Sequence, residues 1–128
     1  MRPARSPDYD RPMAITLYGI PNCDTVKKAR AWLADQGVEY VFHDFKKAGV
    51  PPEHLDAWLR AAGWEKLLNR RGTTWRKLDP ATQSQAGSEA GARALILAQP
   101  SVVKRPVIEW ADGRVTVGFD PEAWARTL

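Results

Sequence analysis

The residue of this chain whose type and position favour covalent chemistry is its single cysteine, Cys23. It lies in the segment GIPNCDTVKK, residues 19–28, where a strand-like run gives way to a helical pattern. The first backbone N–H groups of a helix have no partners within the helix, and the helix dipole adds partial positive charge there. Lys27 and Lys28 are expected to add further positive charge. Because the thiolate is the nucleophilic form of cysteine, this position predicts a reactive thiol.

Other kinds of site are less well supported. A free cysteine commonly packs as a small hydrophobic residue, which is the alternative for Cys23. One cysteine excludes an internal disulfide and any multi-cysteine metal site. His43 and His54 have no carboxylate or cysteine at metal-ligand spacing, so both are predicted to be structural, with no metal bound. The glycine-rich phosphate loops GxxxxGK[ST] and GxGxxG are absent from the sequence.

Composition limits the class of protein. Of the 128 residues, 27% are charged and 44% hydrophobic, which is typical of one soluble globular domain. No apolar run approaches the ~18 residues of a membrane span, so no membrane contact is expected. The net charge of +4 does not by itself indicate a nucleic-acid partner. Most of the six tryptophans are predicted to be core residues, with Trp64 and Trp75 set aside for a surface or ligand role. A lone cysteine suits a reducing compartment, and the cytoplasm is predicted.

The elements that must position Cys23 alternate between strand and helix. The first half is predicted to contain a strand at 14–18, a helix at 24–36 ended by Gly37, a strand at 38–45 and a helix from 51–53 to Gly63. An irregular charged stretch at 64–85 follows, and then a helix from Ser88 to about 98, a hairpin of strands 106–110 and 114–118, and a last helix from Pro121. Both turn residues of the hairpin, Asp112 and Gly113, are predicted to have positive φ, and Leu128 is predicted to lie on the apolar face of the last helix. A strand, a crossover helix and a second strand imply a parallel pair. The order βαβ…ββα predicts an α/β fold with a mixed sheet and a helical insertion around 51–100.

Residues 1–12, with three prolines and three arginines, are expected to be a disordered tail. Residues 13–128 then form one domain. Met13, immediately before the first strand, leaves the start of translation open between Met1 and Met13.

Four segments together carry a resemblance to a known family. They read ITLYGIPNCDTVKKARAWL, VEYVFHDFKK, LLNRRGTTWRKL and VKRPVIEW. In this order and spacing they resemble the arsenate-reductase-like (ArsC-like) family, and within it the YffB branch, which is related to the Spx transcription regulators. The resemblance extends from Ala14 to about Leu128, and it implies a thioredoxin-like fold.

The resemblance also implies roles for individual residues. Cys23 falls on the redox-active cysteine. Arg105 falls on an arginine that faces this cysteine and binds its oxyanion, and both are therefore candidate catalytic residues. Pro106 falls on a proline held in the cis form opposite the cysteine. The candidate substrate-binding residues are Asn22, Lys27, Asn69, Arg70, Arg71 and Pro106.

The chain departs from arsenate reductases, which surround the cysteine with three arginines and a histidine. In this chain Gly19 stands where arsenate reductases have the histidine, and Phe119 stands where they have the last arginine. Asn69 stands in place of the first arginine, although the adjacent Arg70 and Arg71 could substitute for it. A tetrahedral oxyanion needs several converging donors, so arsenate is a less suitable substrate here. The Cys-x-x-Cys switch of Spx-type regulators is also missing, because its fourth position is Val26.

These observations predict a glutathione-dependent monothiol reductase of the oxidoreductase class. Residues 66–105 hold eight lysines and arginines against two acids, which favours an anionic ligand. Glutathione is the expected co-substrate, with no tightly bound cofactor, and the partner is a small or protein disulfide. The alternatives are an arsenate reductase and an Spx-like, non-enzymatic regulator that binds the RNA polymerase α subunit. Direct binding of nucleic acid is not expected.

Overall fold

The computed structural model describes residues 15–127, so the tail predicted at 1–12 and the predicted apolar contact of Leu128 lie outside the described residues. The strands are β1 (Ile15–Gly19), β2 (Tyr40–Asp44), β3 (Val107–Glu109) and β4 (Val115–Val117). The helices are α1 (Asp24–Asp35), α2 (Phe45–Ala48), α3 (Pro52–Ala62), α4 (Trp64–Leu67), α5 (Thr73–Arg76), α6 (Pro80–Gln85), α7 (Glu89–Ala98) and α8 (Pro121–Thr127), and a 3-10 turn covers Pro100–Val102.

The four strands form one mixed sheet in the order β2-β1-β3-β4. β1 runs parallel to β2 and antiparallel to β3, with Leu17 opposite both Phe42 and Ile108. β3 and β4 form the antiparallel C-terminal hairpin. The predicted parallel pair, the hairpin and the mixed α/β class are therefore confirmed.

Each face of the sheet has its own hydrophobic core because alternate strand residues point to opposite faces. Leu17 packs with residues of α1 and α8, including Leu33 and Trp124. Tyr18 packs on the other face against the helices between β2 and β3, where Trp58 is fully buried. The inserted helices thus cover one side of the sheet, while α1 and α8 cover the other.

Local sequence signals account for the helices that were predicted. In α1, Val26, Ala29 and Leu33 recur at helical spacing and are buried. Gly37, just beyond α1, takes a φ of 71° that costs glycine little, which ends the helix. The Ser88 hydroxyl accepts a hydrogen bond from the Gly91 N–H at 3.1 Å and caps α7 as predicted.

One predicted strand end and one stretch predicted to be irregular differ from the structure for local reasons. The second strand stops at Asp44, because the Asp44 carboxylate accepts the Lys46 N–H at 2.8 Å and caps α2. The stretch predicted to be irregular, 64–85, contains the three short helices α4, α5 and α6. The last of these is capped by the Asp79 carboxylate, which accepts the Thr82 N–H at 2.7 Å.

The hairpin turn also differs from the prediction. Only Gly113 has a positive φ, of 92°, so the expectation of two such residues is wrong. The Gly113 N–H donates to the Trp110 carbonyl at 2.9 Å, and the Trp110 N–H donates to the Arg114 carbonyl at 2.8 Å. The loop therefore closes with one extra residue, for which a single glycine suffices.

The tryptophans serve mainly as packing residues. Trp58, Trp110 and Trp124 are buried. Trp64 and Trp75, for which the sequence predicts a surface or ligand role, are half-buried and pack against the core of the inserted helices. No helix within residues 15–127 has the length and apolar character needed to cross a membrane.

Candidate active site

Cys23 is the residue immediately before α1, with an extended backbone (φ −86°, ψ 125°). Its N–H donates to the Ile20 carbonyl at 3.1 Å, and its carbonyl accepts the Lys27 N–H of the first helical turn at 2.9 Å. The side chain is partly exposed and touches both hydrophobic cores at their margin. The predicted position at the start of a helix is confirmed, and the sulfur is not sealed inside the core.

Close packing between β1 and α1 fixes this position. Gly19, the last residue of β1, is buried, and a Cβ atom there would lie 2.8 Å from Val26 Cγ2 in the first turn of α1. Any larger residue would push the start of the helix away from the strand. The same contact explains why a histidine, as in arsenate reductases, does not fit at this position.

A cavity of about 320 Å³ opens beside the Cys23 side chain. Its walls come from four parts of the chain: the start of α1, the loop after α4, the segment before β3 and the segment after β4. The lining residues are Cys23, Thr25, Asn69, Lys104, Arg105, Gly118 and Phe119. Three predicted site residues that are distant in sequence, Cys23, Asn69 and Arg105, therefore share one cavity.

Arg105 is held in the cavity wall by its own backbone neighbourhood. The Arg105–Pro106 peptide bond is cis, as the resemblance implies. Arg105 Nη1 donates to the Ser101 carbonyl at 2.7 Å and to the Val103 carbonyl at 3.3 Å. Its Nε is buried and, among the described residues, has no hydrogen-bond partner. Leaving a buried donor unpaired costs about 1–3 kcal/mol, so this N–H is suited to an acceptor brought by a ligand.

Opposing influences act on the thiol of Cys23. Partial burial is the largest single one and favours the neutral form. The backbone N–H of Val26, the guanidinium of Arg105 and the backbone N–H of Thr25 act against it, and together they lower the pKa of Cys23 below its ordinary value. The sequence predicts that Lys27 and Lys28 stabilise the thiolate, and this prediction is corrected. Both side chains are exposed, and the amides at the start of α1 together with Arg105 lower the pKa of Cys23 instead.

The other predicted substrate contacts lie away from the cavity lining in the part of the chain described here. Asn22, in the turn before α1, is exposed. Lys27 is exposed because it lies off the buried side of α1, which carries Val26 and Ala29. Pro106 is buried behind Arg105.

Arg70 and Arg71 follow Asn69 directly but are exposed. The Arg70 guanidinium lies 5.9 Å from the centre of the Trp64 ring, and the Arg71 N–H donates to Asn69 Oδ1 at 3.3 Å. The roles of these five residues stay predictions.

Four lining residues were not predicted to bind substrate: Thr25, Lys104, Gly118 and Phe119. The Lys104 side chain lies across Gly118, since a Cβ atom on that glycine would be 3.3 Å from Lys104 Cε. Gly118 has a φ of 91°, and its N–H donates to the Pro106 carbonyl at 2.8 Å. Lys104 could have been noticed from its place beside Arg105, and Phe119 from its match to the last arginine of arsenate reductases, whereas only the fold brings Gly118 here.

A second group of polar side chains lies between β1, α3 and β3, and we call it the Glu109 cluster: Tyr18, His54, Trp58 and Glu109. The Glu109 carboxylate accepts hydrogen bonds from the Tyr18 hydroxyl at 2.8 Å, His54 Nδ1 at 2.7 Å and Trp58 Nε1 at 2.9 Å. Burial, followed by the neighbouring Glu109 carboxylate, raises the pKa of Tyr18 far above its ordinary value.

The histidines have protein partners, as their predicted structural roles require. His54 belongs to the Glu109 cluster, and His43 Nε2 donates to the Gly49 carbonyl at 2.8 Å. Residues 15–127 contain no group of three or more histidine, cysteine or acidic side chains placed to hold a metal.

Comparison with known proteins identifies the family. The model of the ArsC family matches residues 18–127. The chain belongs to the ArsC family. A solved structure named YffB protein is 52% identical, with a TM-score of 0.85, and the match covers 90% of this chain and 99% of that one. The solution structure of an arsenate reductase (ArsC) related protein from Brucella melitensis is 54% identical, with a TM-score of 0.69, covering 89% and 93% of the two chains.

Spx-type regulators, to which the sequence resemblance points, also appear among the relatives of this ArsC-family chain. A global transcriptional regulator Spx from Streptococcus pyogenes serotype M6 is 29% identical over 110 residues, covering 84% of this chain and 80% of the regulator. The resemblance to the family and its YffB branch, and the thioredoxin-like fold, are confirmed by these matches.

Proposed function

We propose that this ArsC-family chain is a cytoplasmic, glutathione-dependent monothiol reductase with Cys23 as its nucleophile. One observation carries the proposal. A thiol with a lowered pKa at the start of α1 shares a cavity of about 320 Å³ with Arg105, whose buried Nε has no partner among the described residues. The first group suits attack on sulfur, and the second suits an anionic substrate.

The proposed reaction has two thiol–disulfide exchanges. The Cys23 thiolate attacks the glutathione sulfur of a mixed disulfide, the S–S bond breaks, and the substrate leaves as a thiolate that takes a proton from water. A second glutathione, as its thiolate, then attacks the glutathione sulfur bound to Cys23. Oxidised glutathione leaves and the Cys23 thiolate is regenerated. In the net reaction the substrate sulfur passes from the disulfide to the thiol level and the sulfur of the second glutathione passes from the thiol to the disulfide level, while the first glutathione sulfur remains in a disulfide throughout.

An external thiol is required because the chain has one cysteine. No second thiol of the same chain can displace the bound glutathione, so the resolving step must come from solution. Glutathione is an anion at neutral pH, and the cavity offers two cationic side chains, Arg105 and Lys104. We assign Arg105 to binding the anionic group of glutathione nearest the sulfur, and Lys104 to binding a glutathione carboxylate at the cavity mouth.

The test is a direct search for the intermediate and for turnover. Wild-type protein treated with oxidised glutathione should gain one glutathione on Cys23 by mass spectrometry, and it should reduce glutathionylated 2-mercaptoethanol with saturable dependence on glutathione. Cys23→Ser should lose both signals. An iodoacetamide-derived pKa for Cys23 at or above its ordinary value, together with no dependence on glutathione, would contradict the proposal.

Arsenate reduction is the second candidate, since the family and one solved neighbour carry that name. The specific observation in its favour is that Arg105, which lines the same cavity as the thiol, has a buried Nε with no partner among the described residues. Against it, the cavity lining contains one arginine, with Asn69 and Phe119 where arsenate reductases carry arginines. Arsenate turnover that vanishes in Arg105→Ala would favour this candidate.

A non-enzymatic regulator is the third candidate and rests on the similarity to Spx. It predicts binding to the RNA polymerase α subunit. Binding to the C-terminal domain of that subunit, retained in Cys23→Ser, would favour the regulator over the reductase.

A further inference from the structure

Exposed positive charge is concentrated on the two segments that supply Asn69 and Lys104 to the wall of the Cys23 cavity. It consists of six exposed cations, which we call the basic rim: Lys66, Arg70, Arg71, Arg76, Lys77 and Lys104. The ion pairs found among residues 15–127 involve His54, Arg93 and Arg114, and none of them includes a residue of the basic rim.

The fold joins this surface to the cavity wall. Leu68 and Val103 form an isolated antiparallel bridge. The Asn69 N–H donates to the Val102 carbonyl, and the Lys104 N–H donates to the Leu67 carbonyl, each at 2.7 Å. Two segments therefore run side by side at the wall that holds Asn69 and Lys104, and every residue of the basic rim lies within residues 66–78 or 90–108 of these segments.

No acid offsets the charge in either segment. Residues 66–78 contain five cations and no aspartate or glutamate, and residues 90–108 contain no acid either. Exposed like charges so close together repel one another weakly and attract any anion within a Debye length, about 10 Å at 0.1 M salt.

We infer that the disulfide substrate of Cys23 is a protein whose glutathionylated cysteine lies in an acidic segment, which docks on the basic rim. The inference rests on the proposed function and names its substrate class. Five of the six cations lie outside the cavity lining, so a molecule contained in the cavity cannot reach them, whereas an extended acidic chain can. The substrate's acidic residues pair with the rim while its sulfur enters the cavity.

The same features argue against nucleic acid as the occupant. The Cys23 chemistry needs a sulfur atom in the partner, and nucleic acids carry none. Trp64 and Trp75, the aromatic residues of this stretch, pack against the core of the inserted helices rather than presenting free faces on which bases could stack.

The test uses three glutathionylated peptides of equal length, in which the cysteine is flanked by glutamates, serines or lysines. The readout is the ratio of kcat/KM for the acidic peptide to kcat/KM for the basic one. The full chain should give a ratio of about tenfold or more at low salt, falling toward one at high salt. Arg70→Glu/Arg71→Glu and Arg76→Glu/Lys77→Glu should each lower the ratio about tenfold.

Lys46→Glu/Lys47→Glu is the matched control, because it changes the net charge equally at two exposed lysines of α2. It should keep the wild-type ratio. An equal loss in this control would overturn the inference, since net charge rather than the rim would then be responsible. Tighter binding of single-stranded DNA than of an acidic peptide of equal charge would overturn it in favour of nucleic acid.

The failure of this inference can be separated from that of the proposed function. If wild-type protein reduces glutathionylated 2-mercaptoethanol but treats the three peptides alike, only the docking inference fails. If it reduces none of the four substrates, the reductase proposal fails and the inference fails with it.

Discussion

The Cys23 cavity and the Glu109 cluster both gather polar side chains from distant parts of the chain, but their hydrogen bonding differs. In the Glu109 cluster, the carboxylate accepts three hydrogen bonds of 2.7–2.9 Å from side chains of the protein itself. In the cavity, the lining residue Arg105 has a buried Nε without a hydrogen-bond partner among the described residues.

This difference separates a structural site from a candidate functional one. The Glu109 carboxylate, whose hydrogen bonds are satisfied by the protein, holds α3 against the sheet and does not require a ligand. A buried donor without an acceptor is costly in the free protein, and a ligand can remove that cost. Both sites contain residue types found in catalytic centres, so the state of their hydrogen bonds is more informative than their composition.

The largest expected effect is a loss of stability in the Glu109 cluster, which would support its structural role. Glu109→Ala removes the acceptor of three hydrogen bonds and leaves the Tyr18 hydroxyl and Trp58 Nε1 without it. The free energy of unfolding should fall by about 2–4 kcal/mol. Urea denaturation measures the loss. Asp112→Ala, which removes an exposed carboxylate paired with Arg114, should have a much smaller effect.

The two sites would not be independent if Glu109→Ala changed the reactivity of the Cys23 thiol. The pKa of Cys23, measured from the pH dependence of its alkylation in the folded variant, should match that of the wild type.

The next effect belongs to the cavity. Arg105→Ala should raise the pKa of Cys23, because the guanidinium is among the groups that lower it. The same change should reduce kcat/KM for glutathionylated 2-mercaptoethanol by about 10–100-fold, as a charged hydrogen bond to substrate is lost. Alkylation rates and steady-state kinetics give the two quantities. An unchanged pKa together with unchanged kinetics would show that Arg105 is merely structural.

A smaller effect is expected at Gly118, where a side chain would disturb Lys104. Gly118→Ala forces alanine to a φ of 91° and places its Cβ 3.3 Å from Lys104 Cε. Stability should fall by about 1–2 kcal/mol, and the KM for glutathione should rise as Lys104 moves.

Gly113→Ala is the matched control, since Gly113 has a φ of 92° with nothing within 4 Å of the added Cβ. It should lose similar stability while its KM for glutathione stays at the wild-type value. A raised KM in both variants would argue against a role for Lys104.

The smallest effect is the dependence of stability on pH. Because the folded pKa of Cys23 is below its unfolded value, the thiolate stabilises the folded state. This contribution is complete above the unfolded pKa of about 8.5 and is lost as the pH falls through the folded pKa. Under reducing conditions, the difference in unfolding free energy between wild type and Cys23→Ser should therefore shrink on going from about pH 9 to about pH 5. A constant difference would contradict the lowered pKa.

The sequence was sufficient where the determining interactions are local. α1, its end at Gly37 and the Ser88 cap of α7 each depend on residues within a few positions, and all are confirmed. The position of Cys23 follows from the same kind of pattern. The family resemblance added Arg105, which no local pattern could relate to a cysteine 82 residues away in the chain.

What could not be predicted depends on contacts between distant segments. The Glu109 carboxylate meets partners from β1 and α3 only after the sheet forms, and Lys104 meets Gly118 only when the C-terminal hairpin has closed. The lysine contribution to the thiol was overestimated because neighbours in sequence can point away from each other. Lys27 is adjacent to the buried Val26 and is consequently turned outward on α1.

The way in which Arg105 is anchored has a mechanical consequence. Its Nη1 is tied to the Ser101 and Val103 carbonyls, which belong to or directly follow the 3-10 turn after α7. A shift of this turn would therefore move the carbonyls that hold the guanidinium. Displacement of the turn would in this way change the acidity of the nucleophile without any new contact at the sulfur.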